Sequence, residues 1–278
     1  MIRTRTGRSA GRARNEVTGV FEFWRRRQRA KKRDEAFPEA WKQILDRNIA
    51  FVRRLDAEDR AELEWLVLVF LDEKTFEGCG GLTITDEIRV TIAAQACLLL
   101  LHREHDLYPE LDVILVYPAA FRARTKTAIG DHAVLDTSSD RLGEAGRGVV
   151  VLSWADALAG ARKPGDGKNV VLHEFAHQLD LEDGAMDGAP DLEDGDRYAS
   201  WARVLSREYA DLVERLHAGR GADIDAYGAT SPVEFFAVLT EAFFEKPDTL
   251  KARHPALYDE LSRFYRQDPV DRRRREAS

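Results

Sequence analysis

An α+β fold is predicted by three observations. Apolar residues recur at helical spacing from Pro38 onward, two short β-rich runs follow ("LDVILVYP" and "RGVVVLSW"), and helical periodicity returns at "VVLHEFAHQLD". The expected order is thus an N-terminal helical part, a small mixed sheet, and a helix carrying HExxH next to that sheet. With 278 residues, 44% of them hydrophobic, the chain can bury a core unaided.

The first 36 residues do not share this pattern. "MIRTRTGRSAGRARNEVTGVFEFWRRRQRAKKRDE" is dense in Arg and Lys and reads as a basic, disordered arm. Arg25, Arg26 and Arg27 are followed by QRAKKRDE instead of an apolar segment, which argues against an export signal and for a cytoplasmic protein. Phe21, Phe23 and Trp24 beside that basic cluster either contact a membrane surface or acidic partner, or belong to a solvated tail. A folded domain over 37–270 comes next, and 271–278 read as a flexible tail.

Within the domain, "EAWKQILDRNIAFVRRL" and "DAEDRAELEWLVLVFLDEK" have apolar residues three and four apart, as amphipathic helices do. In "LTITDEIRVTIAAQACLLLLHREH", Thr85 or Asp86 can cap a third helix. Arg89, Thr91 and Gln95 interrupt its apolar face, leaving less than the roughly 20 apolar residues a bilayer requires. No transmembrane segment is expected. His102 and His105 near its end read as partners of the helix C-terminus, where positive charge is favoured. The strand in "RGVVVLSW", leading through "ARKPGDGKN" to the HExxH helix, is either an exposed edge able to take an extended peptide or a central core strand. Cys79 and Cys97 form no CxxC, which excludes a thiolate zinc site and fits a reducing compartment. A net charge of −7 disfavours a chain-wide nucleic-acid surface, so no direct nucleic-acid contact is expected.

The chemistry concentrates in residues 170–180. A helix turns about 100° per residue, so His173 and His177 share a face and can share one ion. Apolar neighbours place this helix mostly inside, where a neutral imidazole is a favoured zinc ligand. Glu174 points off the ligand axis and is placed to take a proton from a water that the ion activates. A catalytic zinc wants three protein ligands and an open position. The acidic, glycine-rich stretch after His177 contains no HxxGxxH continuation. The next helical stretch, "SPVEFFAVLTEAFFEKP", has Ser231 as cap, Pro232 in the first turn, and Glu234 and Glu241 seven apart on one face. Acids on an apolar helix are costly to bury unless paired or coordinated, so both are candidates. Asp180 and Glu241 are candidate partners for the imidazole N–H groups.

Three segments in order, "HEFAHQLD", "DIDAYGATSPVEFFAVLTEAFFEKP" and "HPALYDELSRFYRQDPVDR", closely resemble the Mlc titration factor A family, zinc peptidases of the gluzincin type. The HEFxH, the aspartate and the Tyr-to-Glu spacing are also similar to the anthrax lethal factor catalytic domain. The resemblance extends over most of the chain from about Pro38; the basic arm departs from it. It implies a zincin-like fold and one Zn2+ per chain on His173, His177 and Glu234. It further implies Glu174 as catalytic base and Tyr227, seven residues before Glu234, as hydrogen-bond donor to the oxyanion. Hydrolysis of a peptide or protein substrate, aminopeptidase in type, is implied as well, together with binding of the Mlc repressor of glucose phosphotransferase expression. The alternative is a non-catalytic, repressor-sequestering protein with a structural zinc site.

Overall fold

Short polar residues set where the helices begin. Asp56 accepts hydrogen bonds from the N–H groups of Glu58 and Asp59, and Thr85, Ser153, Asn169 and Ser231 cap later helices in the same way. A computed structural model of the chain describes residues 29–103, 106–119, 148–192 and 195–276. The chain divides after Pro38. In the first unit residues 29–32 are helical, while the aromatic and arginine cluster at 21–27 lies outside the described residues.

The second unit begins with α1 (Glu39–Asn48), a 3-10 turn (Ala50–Arg54) and α2 (Ala57–Glu73), then β1 (Thr75–Gly78) and α3 (Asp86–Leu98). Strands β2 (Val113–Tyr117) and β3 (Val149–Ser153) follow, with α4 (Trp154–Arg162) starting directly at the end of β3. The remainder is helical: α5 (Val170–Asp180), α6 (Gly195–His217), a 3-10 turn (Ala226–Ala229), α7 (Pro232–Glu245), α8 (Pro247–Arg253), α9 (Pro255–Tyr265) and α10 (Pro269–Glu276). This is the α+β, zincin-like arrangement anticipated from the sequence.

The sheet has the order β1-β2-β3, with Thr75 opposite Val113 and Val113 opposite Val149. All three described strands run parallel. A strand of opposite direction, which a mixed sheet requires, is not among the described residues. Ile114, Val116, Val150 and Leu152 are buried and alternate with less buried neighbours, so one face of the sheet closes on the core. β3 is an edge strand among those described, and α4 separates it in sequence from α5.

α3 and α7 are buried on almost every side. Residues Val90–Leu98 of α3 are all buried, including Thr91 and Gln95. On α7 the aromatic face meets α6 and α9: Phe236 packs edge-on against Trp201 and Phe264, and Phe243 stacks on Tyr265. No helix among the described residues is long and apolar enough to cross a membrane. Cys79 and Cys97 are free thiols.

Two expectations change at the ends of elements. The third helix stops at Leu98, and His102 takes a left-handed conformation (φ 63°) in which its ring contacts Asp59 at 2.9 Å and Glu62 at 3.5 Å. Arg272 binds the other oxygen of Asp59 at 2.6 Å, so this group already has its cation and ties α2 to α10. His105 lies outside the described residues. The tail expected to be flexible from 271 is helical to Glu276, because Arg272 and Arg273 find Asp59, Asp248 and the Glu245 carbonyl.

Candidate metal centre

α5 starts at Asn169, whose Oδ1 accepts from the N–H groups of Val171 and Leu172 at 3.1 Å each. Val171, Leu172, Phe175, Ala176 and Leu179 are fully buried and anchor the helix against α3, α4, α7 and β3. That anchoring leaves His173 and His177 directed at α7, both buried.

α7 answers with carboxylates. Glu234, Glu241 and Glu245 recur at seven and four residues, so at about 100° per residue they fall within an arc of about 40°, opposite Phe236 and Phe243. Ser231 caps this helix by accepting from Glu234 N–H, and Pro232 occupies its first turn. Ser231-x-x-Glu234 has the spacing of a capping box. Here the Glu234 carboxylate turns to the histidines.

The three donors converge. His173 Nε2 lies 3.0 Å from Glu234 Oε2 and 3.2 Å from His177 Nε2, and His177 Nε2 lies 3.5 Å from the same Glu234 oxygen. On the other side of the ring, His173 Nδ1 is 2.8 Å from Glu241 Oε1. A carboxylate only accepts, so Nδ1 carries the proton and a neutral His173 presents a lone pair at Nε2. His173 Nε2 and Glu234 Oε2 are then two acceptors facing one point, with His177 Nε2 beside them, an arrangement that needs positive charge or a proton at that point. Ligands on a tetrahedral zinc at bond lengths of 2.0–2.1 Å stand about 3.3 Å from one another, and the separations here match that spacing. The residues fit a divalent metal, and Glu234 is only half-buried.

The titration of the cluster points the same way. Burial pushes His173 down, but hydrogen bonds to Glu234 and Glu241 outweigh it and raise its pKa well above the histidine range. Burial pushes Glu234 up, yet the two histidines overcome this and hold it at about 2. Positive charge is stabilised at this point, whether as protons or as a metal ion.

Glu174 is half-buried beside the ligands. Burial raises its pKa, against the pull of His173 and His177, which moves a carboxylate toward the range of a base working near neutrality. The Tyr227 ring stands 5.9 Å from the His173 ring, centroid to centroid, in a turn that Asp225 fixes by accepting from Tyr227 N–H. The structure therefore brings His173, Glu174, His177, Tyr227, Glu234 and Glu241 into one place. Asp180, expected beside an imidazole, instead receives the Gly188 N–H on both carboxylate oxygens at 3.0 and 2.9 Å. Nδ1 of His177 is buried without a hydrogen-bond partner.

Three residues beyond the sequence reading support the site: Asn169, Gln95 and Glu245. Asn169 N–H donates to Glu241 Oε2 at 2.5 Å, and its Nδ2 donates to Gln95 Oε1 at 3.0 Å and Glu245 Oε1 at 3.3 Å. Two signals were available in the sequence: an Asn directly before the metal helix, and an acid four residues after Glu241 on a helix with no polar face to spare.

A model of the glucose-regulated metallo-peptidase M90 family matches residues 21–266, so the match takes in part of the basic segment before Pro38. An uncharacterized protein of Synechocystis sp. is 41% identical over 235 residues, covering 84% of this chain and 86% of its own. Proteins named Mlc titration factor A are similar at lower identity. The one from Klebsiella pneumoniae is 31% identical over 84% of this chain and 88% of its own, and the one from Yersinia pestis 30% over 84% and 87%.

Proposed function

The chain belongs to the glucose-regulated metallo-peptidase M90 family, and from that membership and the geometry above we propose that it is a zinc-dependent peptidase. The observation that carries the reading is the convergence of His173 Nε2, His177 Nε2 and Glu234 Oε2 on one point, with Glu174 adjacent. Zinc supplies a Lewis acid that activates water and polarises a carbonyl. The remaining work falls to the side chains. Glu174 takes the proton of the attacking water and passes it to the leaving nitrogen. Tyr227 donates its phenolic hydrogen to the oxygen on which negative charge develops. Glu241 holds the His173 ring by its Nδ1–H, which keeps Nε2 available.

The substrate in this reading is a peptide lying along β3, an edge among the described strands, whose main-chain groups can pair with it. Aminopeptidase-type cleavage is proposed from the family resemblance. A cytoplasmic setting agrees with the free thiols of Cys79 and Cys97. The test is hydrolysis of peptide amides by purified protein with and without a chelator, and by the E174Q variant. Zinc retained with turnover lost in E174Q is the expected outcome; turnover at the wild-type rate rejects Glu174 as the base.

The name shared by the Klebsiella and Yersinia relatives favours a second reading, in which this chain also binds an Mlc-type repressor. Chelation separates the two activities. A sequestering protein keeps repressor binding when hydrolysis is abolished.

A further inference from the structure

We propose that Asn169 and Glu245 form a positioning pair that sets the His173 ring through Glu241, a proposal that rests on the metal-site reading above. Asn169 is 1% exposed, and all its polar groups are engaged. Its Oδ1 caps α5, its Nδ2 donates to Gln95 and Glu245, its N–H donates to Glu241, and its carbonyl accepts from His173 N–H at 2.9 Å. The last two partners are the groups whose mutual hydrogen bond orients the imidazole. Any displacement of Asn169 therefore moves both.

The orientation of the Asn169 amide is forced from behind. Gln95 Nε2 donates to the carbonyls of Thr91 and Ala157 at 3.0 and 3.2 Å, so its Oε1 must face Asn169. Asn169 in turn must direct its amide nitrogen to Gln95 and its oxygen to the helix. Glu245, fully buried, accepts from Asn169 with one oxygen and from Gly165 N–H with the other at 2.5 Å, binding both ends of the 165–169 loop to α7. Gly160 permits the approach, since a Cβ there would lie 3.1 Å from Asn169 Cγ.

Capping alone does not require this residue. An N-cap needs one side-chain oxygen, which Asp, Ser or Thr supplies as well as Asn. The amide is demanded only by the two acceptors behind it, so N169D separates the roles. It keeps the cap and adds a charge that the helix N-terminus favours. At the same time it sets an oxygen against Gln95 Oε1 and the Glu245 carboxylate.

The experiment is zinc affinity by competition with a chromophoric chelator, alongside the far-UV circular dichroism of the metal-free proteins. N169D is expected to bind zinc about tenfold or more weakly, within the 10–100-fold range typical for lost outer partners, with its helix content unchanged. E245Q leaves a donor facing a donor at Asn169 or Gly165 and weakens zinc likewise. The double variant N169D/E245Q restores a donor–acceptor contact between residues 169 and 245 while the contact with Gln95 Oε1 stays repulsive, so it is expected to bind more tightly than N169D. If N169D does not fold, the zinc affinity of E245Q decides, and a value within about twofold of wild type overturns the pair. Affinity of N169D within about twofold of wild type, or a double variant no tighter than N169D, overturns the pair. Wild-type protein that takes up no zinc in the same titration fails the metal-site reading and the proposal with it.

Discussion

Replacing Gly188 by alanine tests whether the loop after α5 sets the position of Glu234. Gly188 has φ +83°, and a Cβ on it would stand 2.5 Å from the Pro232 carbonyl oxygen and 2.8 Å from its carbon. The residue is clamped from two further directions, because Asp180 holds its N–H and Trp201 Nε1 donates to its carbonyl at 3.0 Å. It cannot retreat without breaking these bonds. Pro232 must then move by about 1 Å to restore ordinary contact, and Glu234 lies two residues further along the same first turn.

Two contributions set the size of the effect. Alanine in the left-handed region costs about 1–2 kcal/mol, and overpacking of this kind about 1–3 kcal/mol. The total, roughly 2–5 kcal/mol, corresponds to a fall in Tm on the order of 10 °C for a chain of this size. G184A is the internal control: Gly184 has φ +88° but nothing within 4 Å of its Cβ position, so it carries the conformational cost alone. Thermal melts of metal-free protein give the stability difference, and chelator competition reports whether Glu234 has shifted. G188A is expected to melt well below G184A and to bind zinc more weakly. Equal melting of the two variants would refute the close approach to Pro232, and unchanged zinc affinity would refute its transmission to Glu234.

Other perturbations address the chemistry. E234A is expected to lose most of the bound zinc, measured by metal analysis against about one ion per wild-type chain; undiminished zinc moves the third ligand elsewhere. Y227F should retain zinc and lower kcat by about 10²–10³ with little change in KM, as loss of one oxyanion donor does. Turnover within about twofold of wild type returns Tyr227 to a packing role. Stability should also depend on pH through Glu182, which burial pushes up from 4.5 to about 7 against the attraction of Arg103 at 3.8 Å. Between those values the folded state keeps a proton that the unfolded state has lost. Stability therefore falls as pH rises from about 4.5 to 7, by up to about 3 kcal/mol, and levels off above. Asp180 (about 6) and Glu245 (about 7) act in the same direction, so urea titrations of E182Q should show a shallower slope, and a profile parallel to wild type would contradict the raised pKa.

The residues legible in the sequence were those whose geometry is local. Helical spacing alone puts His173 beside His177 and Glu234 in line with Glu241, and a Ser-Pro start places Glu234 in a first turn wherever that helix packs. What the sequence left open depended on segments far apart in the chain. Periodicity gives a strand its faces but not its direction, so β2 and β3 could be located without showing that they run parallel, while the four residues of β1 are too short a run to show a period. A run such as Arg272–Arg274 reads as solvated charge until Asp59, more than 200 residues away, is seen to bind Arg272 at 2.6 Å.

Asp180 shows the same limit within the site. One turn beyond His177 it has the spacing of an imidazole partner, but the chain turns back at residues 181–188 and offers it a backbone N–H first. That substitution of partner has a structural consequence. The antiparallel relation of α5 and α7 is held at one end by Glu241 and Glu245 acting on Asn169 and Gly165, and at the other by Asp180 acting on Gly188 against Pro232. The ligands lie between the two clamps. A buried carboxylate without partners costs several kcal/mol, and here Asp180, Glu241 and Glu245 each accept a backbone N–H, from Gly188, Asn169 and Gly165. The acids that make α7 improbable as an ordinary core helix are therefore the same groups that hold it at ligand distance from His173 and His177.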